Sequence, residues 1–330
     1  MNRQRMLELL LGNMTLVVFL IIFLYFGLQA PRFIGVESIA NIVKQASFTG
    51  VVAVGMTFVL LTAGIDLSVG SNMYLSAMSA GYLLQNPAFQ NGWGVALAIA
   101  AGLLTGVAFG AVNGFCVVVL GITPFLATLA TLVAGRGLGT AITESFGIEY
   151  PASYLAFGAS SIFGIPMPII VFAVVVLVAH IVLSRSQFGR QIYAVGNDAE
   201  VARKAGIDVN RVVFSVYVIC GLCAAIGGVT LIALIGRLNQ TFGVGREFEV
   251  ITSAVLGGTS LFGGAGFAFG SVIGSTLVQT VQSGMIFIGV NLYLQPMVLA
   301  GIIFLAVLID ALRTARLAKL RRRLLRSDEK

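Results

Sequence analysis

Long apolar windows follow one another along the chain, separated by short polar or Gly/Pro breaks and without period-two alternation. The windows lie near 14–30, 46–64, 69–85, 94–120, 124–142, 167–184, 212–235, 249–262, 267–288 and 293–311. A helix in lipid satisfies its own backbone hydrogen bonds, whereas a barrel needs strands that alternate apolar and polar positions. The pattern therefore predicts an all-α integral membrane protein of about ten transmembrane helices, each needing about 20 apolar residues to cross the hydrocarbon. Ten crossings consume about 200 residues, which leaves no room for a separate soluble catalytic domain. Residues 1–330 read as a single transmembrane domain. The first window has no A-x-A cleavage site and reads as a retained helix rather than a removed signal peptide.

Glycine placement adds a repeat to this picture. Gly106-Val-Ala-Phe-Gly110-Ala-Val-Asn-Gly114 in the fourth window matches Gly266-Phe-Ala-Phe-Gly270-Ser-Val-Ile-Gly274 in the ninth at six of nine positions, and Pro124 and Pro296 open the windows that follow. Windows five apart cross the bilayer in opposite senses, so the match predicts two inverted five-helix repeats, about 14–142 and about 167–311, a plan used by transporters. The other origin of such a match is convergence on small-xxx-small packing faces. Two glycine-rich breaks stand out: Gly64-Ile-Asp-Leu-Ser-Val-Gly70, and the flanks of the short eighth window at Gly243-Val-Gly245 and Gly263-Gly264-Ala-Gly266.

Composition agrees with lipid as solvent: 58% of residues are hydrophobic and 10% charged, with mean hydropathy +0.99. The net charge of +7 invites a nucleic-acid reading, but 15 of the 20 Lys and Arg residues fall in three segments. These are Arg3 and Arg5, then Arg185, Arg190, Arg203, Lys204 and Arg211, then eight from Arg313 to Lys330. Basic residues flanking spans are retained in the cytoplasm, so the charge reports topology and not nucleic acid. Both termini, the 185–211 segment and the tail 312–330 are expected inside, with 143–166 as the largest external loop. The basic tail is also suited to touch anionic membrane lipids.

Several chemistries are missing. No Gly-Lys dipeptide occurs, hence no phosphate-binding Walker A loop, and the chain is not expected to hydrolyse ATP or to be an enzyme. Cys116, Cys220 and Cys223 lie in apolar windows where neither disulfide nor metal site is expected, and small residues on one packed helix face account better for Cys220-x-x-Cys223. His180, the single histidine, reads as a packed or interfacial residue. No cofactor or metal is expected. A translocation pathway is assigned instead to Asp66, Asn72, Asn113, Phe125, Thr128, Gln279 and Gln282, with Thr131 nearby. Neutral amides and hydroxyls pass an uncharged hydroxyl-rich solute by replacing its water hydrogen bonds, and their alternative role is to bond helix to helix.

Between the sixth and seventh windows the 185–211 segment contains a short helix. Asn197 or Asp198 caps its start, Glu200 lies in its first turn, Arg203 and Lys204 in its last, and Gly206 ends it. A capped helix between two spans offers a docking surface.

Three phrases together carry a resemblance: Gly64-Ile-Asp-Leu-Ser-Val-Gly70; Phe188-Gly-Arg-Gln-Ile-Tyr-Ala-Val-Gly196 with Ala202-Arg-Lys-Ala-Gly-Ile207; and Ala254-Val-Leu-Gly-Gly-Thr-Ser-Leu-Phe-Gly-Gly264. In this order, and across nearly the whole chain, the sequence resembles the permease subunits of bacterial ribose-type ABC sugar importers. Phe262 and Phe267 stand where that family carries smaller or polar neighbours. The resemblance implies a type II, vitamin B12 importer-like ABC permease architecture in the bacterial inner membrane. It also implies a second permease copy or paralogue, two cytoplasmic ABC ATPase subunits, and a periplasmic sugar-binding protein that delivers a monosaccharide and meets the 143–166 loop. Gly196, Asn197, Asp198, Glu200, Ala202, Arg203 and Gly206 would then form the coupling helix received by the ATPase. The rival class is an ion-coupled secondary carrier or facilitator, which inverted repeats also build. A membrane-embedded enzyme is disfavoured because no His, Asp, Glu and Cys residues cluster in the sequence.

Overall fold

The computed structural model of the chain describes residues 14–302 together with 304 and 308. Arg3, Arg5, Asp310 and the basic tail lie outside the described residues, as does part of the last window, which is helical over 295–302.

Twelve helices organise the described residues up to 287. The first half holds α1 (Met14–Gln29), α2 (Val36–Leu61), α3 (Val69–Leu84), α4 (Gly92–Val118) and α5 (Pro124–Ile142). A structured connection follows: β1 (Ile148–Glu149), α6 (Ala152–Ala159), β2 (Ser161–Ile162) and β3 (Ile165–Pro166). The second half holds α7 (Met167–Arg185), α8 (Gln187–Asn197), α9 (Ala199–Lys204), α10 (Val209–Ile235), β4 (Arg237–Leu238), α11 (Arg246–Leu256) and α12 (Ala268–Phe287).

Local chemistry fixes most ends. Asn91 accepts from the Gly94 amide to cap α4, Pro124 opens α5, and Ser186 accepts from the Gly189 amide to cap α8. α10 ends at Gly236, whose φ of +78° is the left-handed conformation that glycine adopts without a Cβ clash. Two windows differ from their helices. α2 starts ten residues before the predicted 46, because the exposed Glu37 and Gln45 and the half-buried Lys44 sit in a helical extension that polarity alone does not interrupt. α11 stops six residues before the predicted 262, at Gly257-Gly258, and its 11 residues span about 16 Å, roughly half the hydrocarbon thickness. Among the described residues five helices are long and apolar enough to cross a membrane: α2, α4, α5, α7 and α10.

α2 is the centre. Its most apolar stretch is 83% buried within the protein, against 28% for α4 and α7 and 22% for α5, so the last three turn broad apolar faces outward. Such faces suit lipid or a partner helix. α10 packs on α2, α3 and α4, while α12 packs on α2 and α11. Glycines permit the closest approaches. A Cβ on Gly106 would meet Gly221 O and Ala225, and one on Gly110 would collide with Tyr217 O, so this face of α4 lies backbone to backbone on α10. The matching glycines of the second copy, Gly270 and Gly274, lie instead against Gly257 O and Ser253 O at the end of α11. Gly55 on α2 presses on Cys220 and Cys223, which places the cysteine spacing on a packed face.

The two ends of the molecule are distinct. At one, Ile148 pairs with Leu238 and Glu149 with Arg237, joining the 143–166 connection to the turn after α10. At the other, the Gly264 amide donates to Leu61 O (3.0 Å) beside Gly196. Between them the starts of α3 and α11 meet, with the Gly70 and Gly243 backbones in direct contact.

Candidate transport pathway and coupling surface

The Gly64–Gly70 phrase builds a buried polar knot where α2 turns into α3. The Asp66 carboxylate, 1% exposed, accepts from the Ser68 amide (2.9 Å) and the Ser68 hydroxyl (2.6 Å). Asn113 on α4 donates to Ser68 Oγ (2.7 Å), and Thr131 on α5 donates to Asn113 Oδ1 (2.6 Å). The donors of this network converge on a single carboxyl group, Ser68 directly and Asn113 and Thr131 through it in turn, an arrangement that partly offsets its removal from water. Thr128 donates to Pro124 O (2.8 Å). Asn72 donates to both Gly106 O and Gly221 O (3.3 Å each) and accepts from Ser76 (3.0 Å), so it crosses from α3 to α4 and α10.

The seven pathway candidates thus separate by position. Asp66, Asn72, Asn113 and Thr128 are buried, and Asn72 and Asn113 bond between helices. Phe125 is exposed on α5, and Gln279 and Gln282 are half-buried on α12. Gln279 donates to Ser283 (3.2 Å) and Gln282 to Glu249 Oε1 (3.1 Å), Glu249 being also the ion-pair partner of Arg246.

Sequence reasoning missed the charged neighbours at the start of α11. Glu247 is buried against the start of α3 beside Gly70. Arg136 on α5 donates to the carbonyls of Phe242 and Gln240 and lies 5.1 Å from the Tyr74 ring centre. A signal was available: Arg136, Glu247 and Glu249 interrupt apolar stretches, and an ionised group in hydrocarbon costs at least about 2.5–3.5 kcal/mol. Arg136 opens an outward groove along α5 with Thr140, Glu144 and Ser145. A second groove, lined by Ser145, Arg237, Asn239, Gln240 and Thr241, adjoins it through Ser145.

At the opposite end α8 and α9 form an exposed pair. Asp198, and not Asn197, caps α9: it accepts from the amides of Glu200 (2.9 Å) and Val201 (3.0 Å). Asn197 closes α8 by donating to Tyr193 O (2.8 Å). Gly206 ends α9 with φ +84°. Ala202 is buried, whereas Glu200, Arg203 and Lys204 are exposed. The Glu200–Lys204 pair (2.9 Å) is solvated on both sides, so it adds little stability and leaves a polar outward face. Gly196 is packed so tightly that a Cβ would collide with Leu61 O. Tyr193 donates to Gly266 O (2.7 Å), and partial burial pushes its phenol up from the usual value, so it remains an O–H donor at physiological pH. His180 lies against Phe269, ring centres 4.8 Å apart. Phe262 and Phe267 are exposed.

Apolar helices around a bonded polar interior, with a capped amphipathic pair at one end, define a multi-pass membrane transport permease. The chain belongs to the family described as branched-chain amino acid transport system / permease component, whose model matches residues 38–308. Among its relatives is the ribose import permease protein RbsC of Escherichia coli strain K12, 34% identical over 307 residues, covering 91% of this chain and 94% of that one. The D-allose transport system permease protein AlsC of the same strain is 36% identical over 303 residues, covering 90% and 91%. RbsC of Bacillus subtilis strain 168 is 35% identical over 289 residues, covering 86% and 88%. No solved structure matches. The family description and these relatives name different solutes, so membership by itself establishes a permease.

Proposed function

We propose that this chain is the membrane-spanning subunit of an ATP-driven importer that translocates a monosaccharide, a ribose-like pentose or a hexose. A periplasmic binding protein delivers the sugar to the end bearing the 143–166 connection, and cytoplasmic ABC ATPase subunits grip α8 and α9. Two permeases, identical or paralogous, enclose the pathway between them in the bacterial inner membrane, with both termini inside. The single observation that carries this reading is the near full-length likeness to permeases named for ribose and allose. Arg136 and Thr140 in the groove along α5, with Arg237, Asn239, Gln240 and Thr241 in the groove that adjoins it, supply guanidinium, hydroxyl and amide groups suited to sugar hydroxyls.

A type II permease built of ten spans in two inverted repeats is supported by the packing pairs. Moving five windows along the chain takes α2 to α10, α3 to α11 and α4 to α12, and the contacts α4 with α10, α4 with α3 and α3 with α10 become α12 with α2, α12 with α11 and α11 with α2, all of which occur. Pathway roles for Phe125, Gln279 and Gln282 agree with their partial exposure. In this reading Asp66, Asn72, Asn113 and Thr128 hold the wall of the pathway, and Gly196, Asn197, Asp198, Glu200, Ala202, Arg203 and Gly206 couple it to the ATPase.

The test is reconstitution. Proteoliposomes containing the chain, its ATPase and the binding protein should take up labelled ribose or allose only with ATP and all three components. Accumulation by the chain alone under a proton or sodium gradient would overturn the importer reading in favour of a secondary carrier.

A further inference from the structure

The end of α8 is locked into a three-way joint. Gly196 lies flat on the Leu61 carbonyl, where α2 ends and the turn carrying Asp66 begins. That carbonyl also accepts the Gly264 amide (3.0 Å), from the turn that links α11 to α12. Gly263, at φ +86°, packs on Gly196 O and Ala63, and Gly264, at φ +70°, packs on the Asn197 side chain. Tyr193, one helical turn before Asn197, reaches past these glycines and donates to Gly266 O (2.7 Å). Segments 61–63, 193–197 and 263–266 therefore meet closely, with Gly196 on Leu61 O and Gly263 on Gly196 O backbone to backbone, which leaves little room to absorb a displacement. Beyond the joint, the first segment continues through Asp66, Ser68 and Asn113 to Thr131 on α5, and the third runs into α11 and α12.

We propose that Tyr193 is a positioning residue for energy coupling: its hydroxyl bond to the Gly266 carbonyl ties the α8–α9 pair to the α11–α12 turn. A pull on α9 then reaches both short helices, α3 through Leu61 and α11 through Gly266. Without that bond α8 remains seated on Leu61 through Gly196 and keeps only packing contacts with Gly263 and Gly264 of the turn. This inference rests on the ATPase engaging α8 and α9.

The test uses the reconstituted importer with two hydroxyl deletions. Tyr193→Phe removes the joint's hydroxyl and keeps the ring. Thr105→Val removes an interhelical hydroxyl bond, from α4 to Ser79 on α3 (2.9 Å), away from the joint. Copurification of the ATPase is measured first, because its loss from the unmodified permease would overturn the importer reading itself. With the ATPase bound, Tyr193→Phe should lower the sugar moved per ATP hydrolysed by about 2- to 12-fold, the range of one neutral hydrogen bond. Thr105→Val should leave that ratio unchanged while lowering thermal stability to a similar degree. An unchanged ratio in Tyr193→Phe, or equal losses in both variants, would overturn the inference and leave the importer reading standing.

Discussion

Asp198 shows how much one side chain does at the surface. Its carboxylate holds two otherwise unpaired amides at the start of a six-residue helix, too short to persist on its own. Asp198→Ala should cost about 1 kcal/mol of local stability and weaken ATPase binding in a pull-down, whereas Asp198→Ser, which retains a capping oxygen, should recover most of the loss. Gly196→Ala is a harsher change, because the new methyl group meets a backbone carbonyl that cannot rotate away. It should cost about 1–3 kcal/mol, read as a fall in the melting temperature of the detergent-solubilised protein. The cap and the stop at Gly206 were legible in the sequence because each acts within a few residues of its own position. The bond from Tyr193 to Gly266 was not, since it spans 73 positions and its acceptor is a backbone carbonyl that any residue supplies. The buried setting of Glu247 was hidden for a related reason: only the folded turn before α11 brings it to Gly70.

Among helices, packing is governed by which glycines face a neighbour's backbone. Gly274 lies directly on Ser253 O, while Gly137 on α5 has open space where a Cβ would go. Gly274→Val should therefore impair folding, measured as reduced yield of monodisperse protein, by about 1–3 kcal/mol or more in stability terms. Gly137→Ala should be neutral or stabilising, since alanine is the better helix former. The sequence distinguishes the two poorly, because both lie in apolar windows. Window boundaries fared better where a strong stop or start exists: Pro124 sets α5 to the predicted residue, and the predicted start of α3 at Val69 holds. They failed at α11, where Leu261 and Phe262 extend the apolar pattern beyond Gly257-Gly258 although the helix has ended. Hydropathy reads the solvent that a segment prefers, and backbone conformation at paired glycines overrides it.

At the scale of the whole molecule, orientation follows from one helix. α10 has 27 residues and so a length of about 40 Å, longer than the roughly 30 Å hydrocarbon core, so the elements before and after it emerge on opposite faces of the membrane. Before it come α8 and α9 with Arg185, Arg190, Arg203, Lys204 and Arg211; after it comes β4, bonded to β1 in the 143–166 connection. Basic residues resist translocation, which is why the proposed function puts the α9 end in the cytoplasm and the β1–β4 end outside. Two exposed positions report these ends: Val201 on α9, 60% exposed, and Phe163 in the β2–β3 turn, fully exposed. With Cys116, Cys220 and Cys223 replaced by alanine or serine, Phe163→Cys in spheroplasts should react with a membrane-impermeant maleimide at once. Val201→Cys should react only after the membrane is permeabilised. The opposite pattern would place α8 and α9 outside, beyond the reach of any cytoplasmic ATPase, and the coupling role of Asp198 and Tyr193 would fall with it.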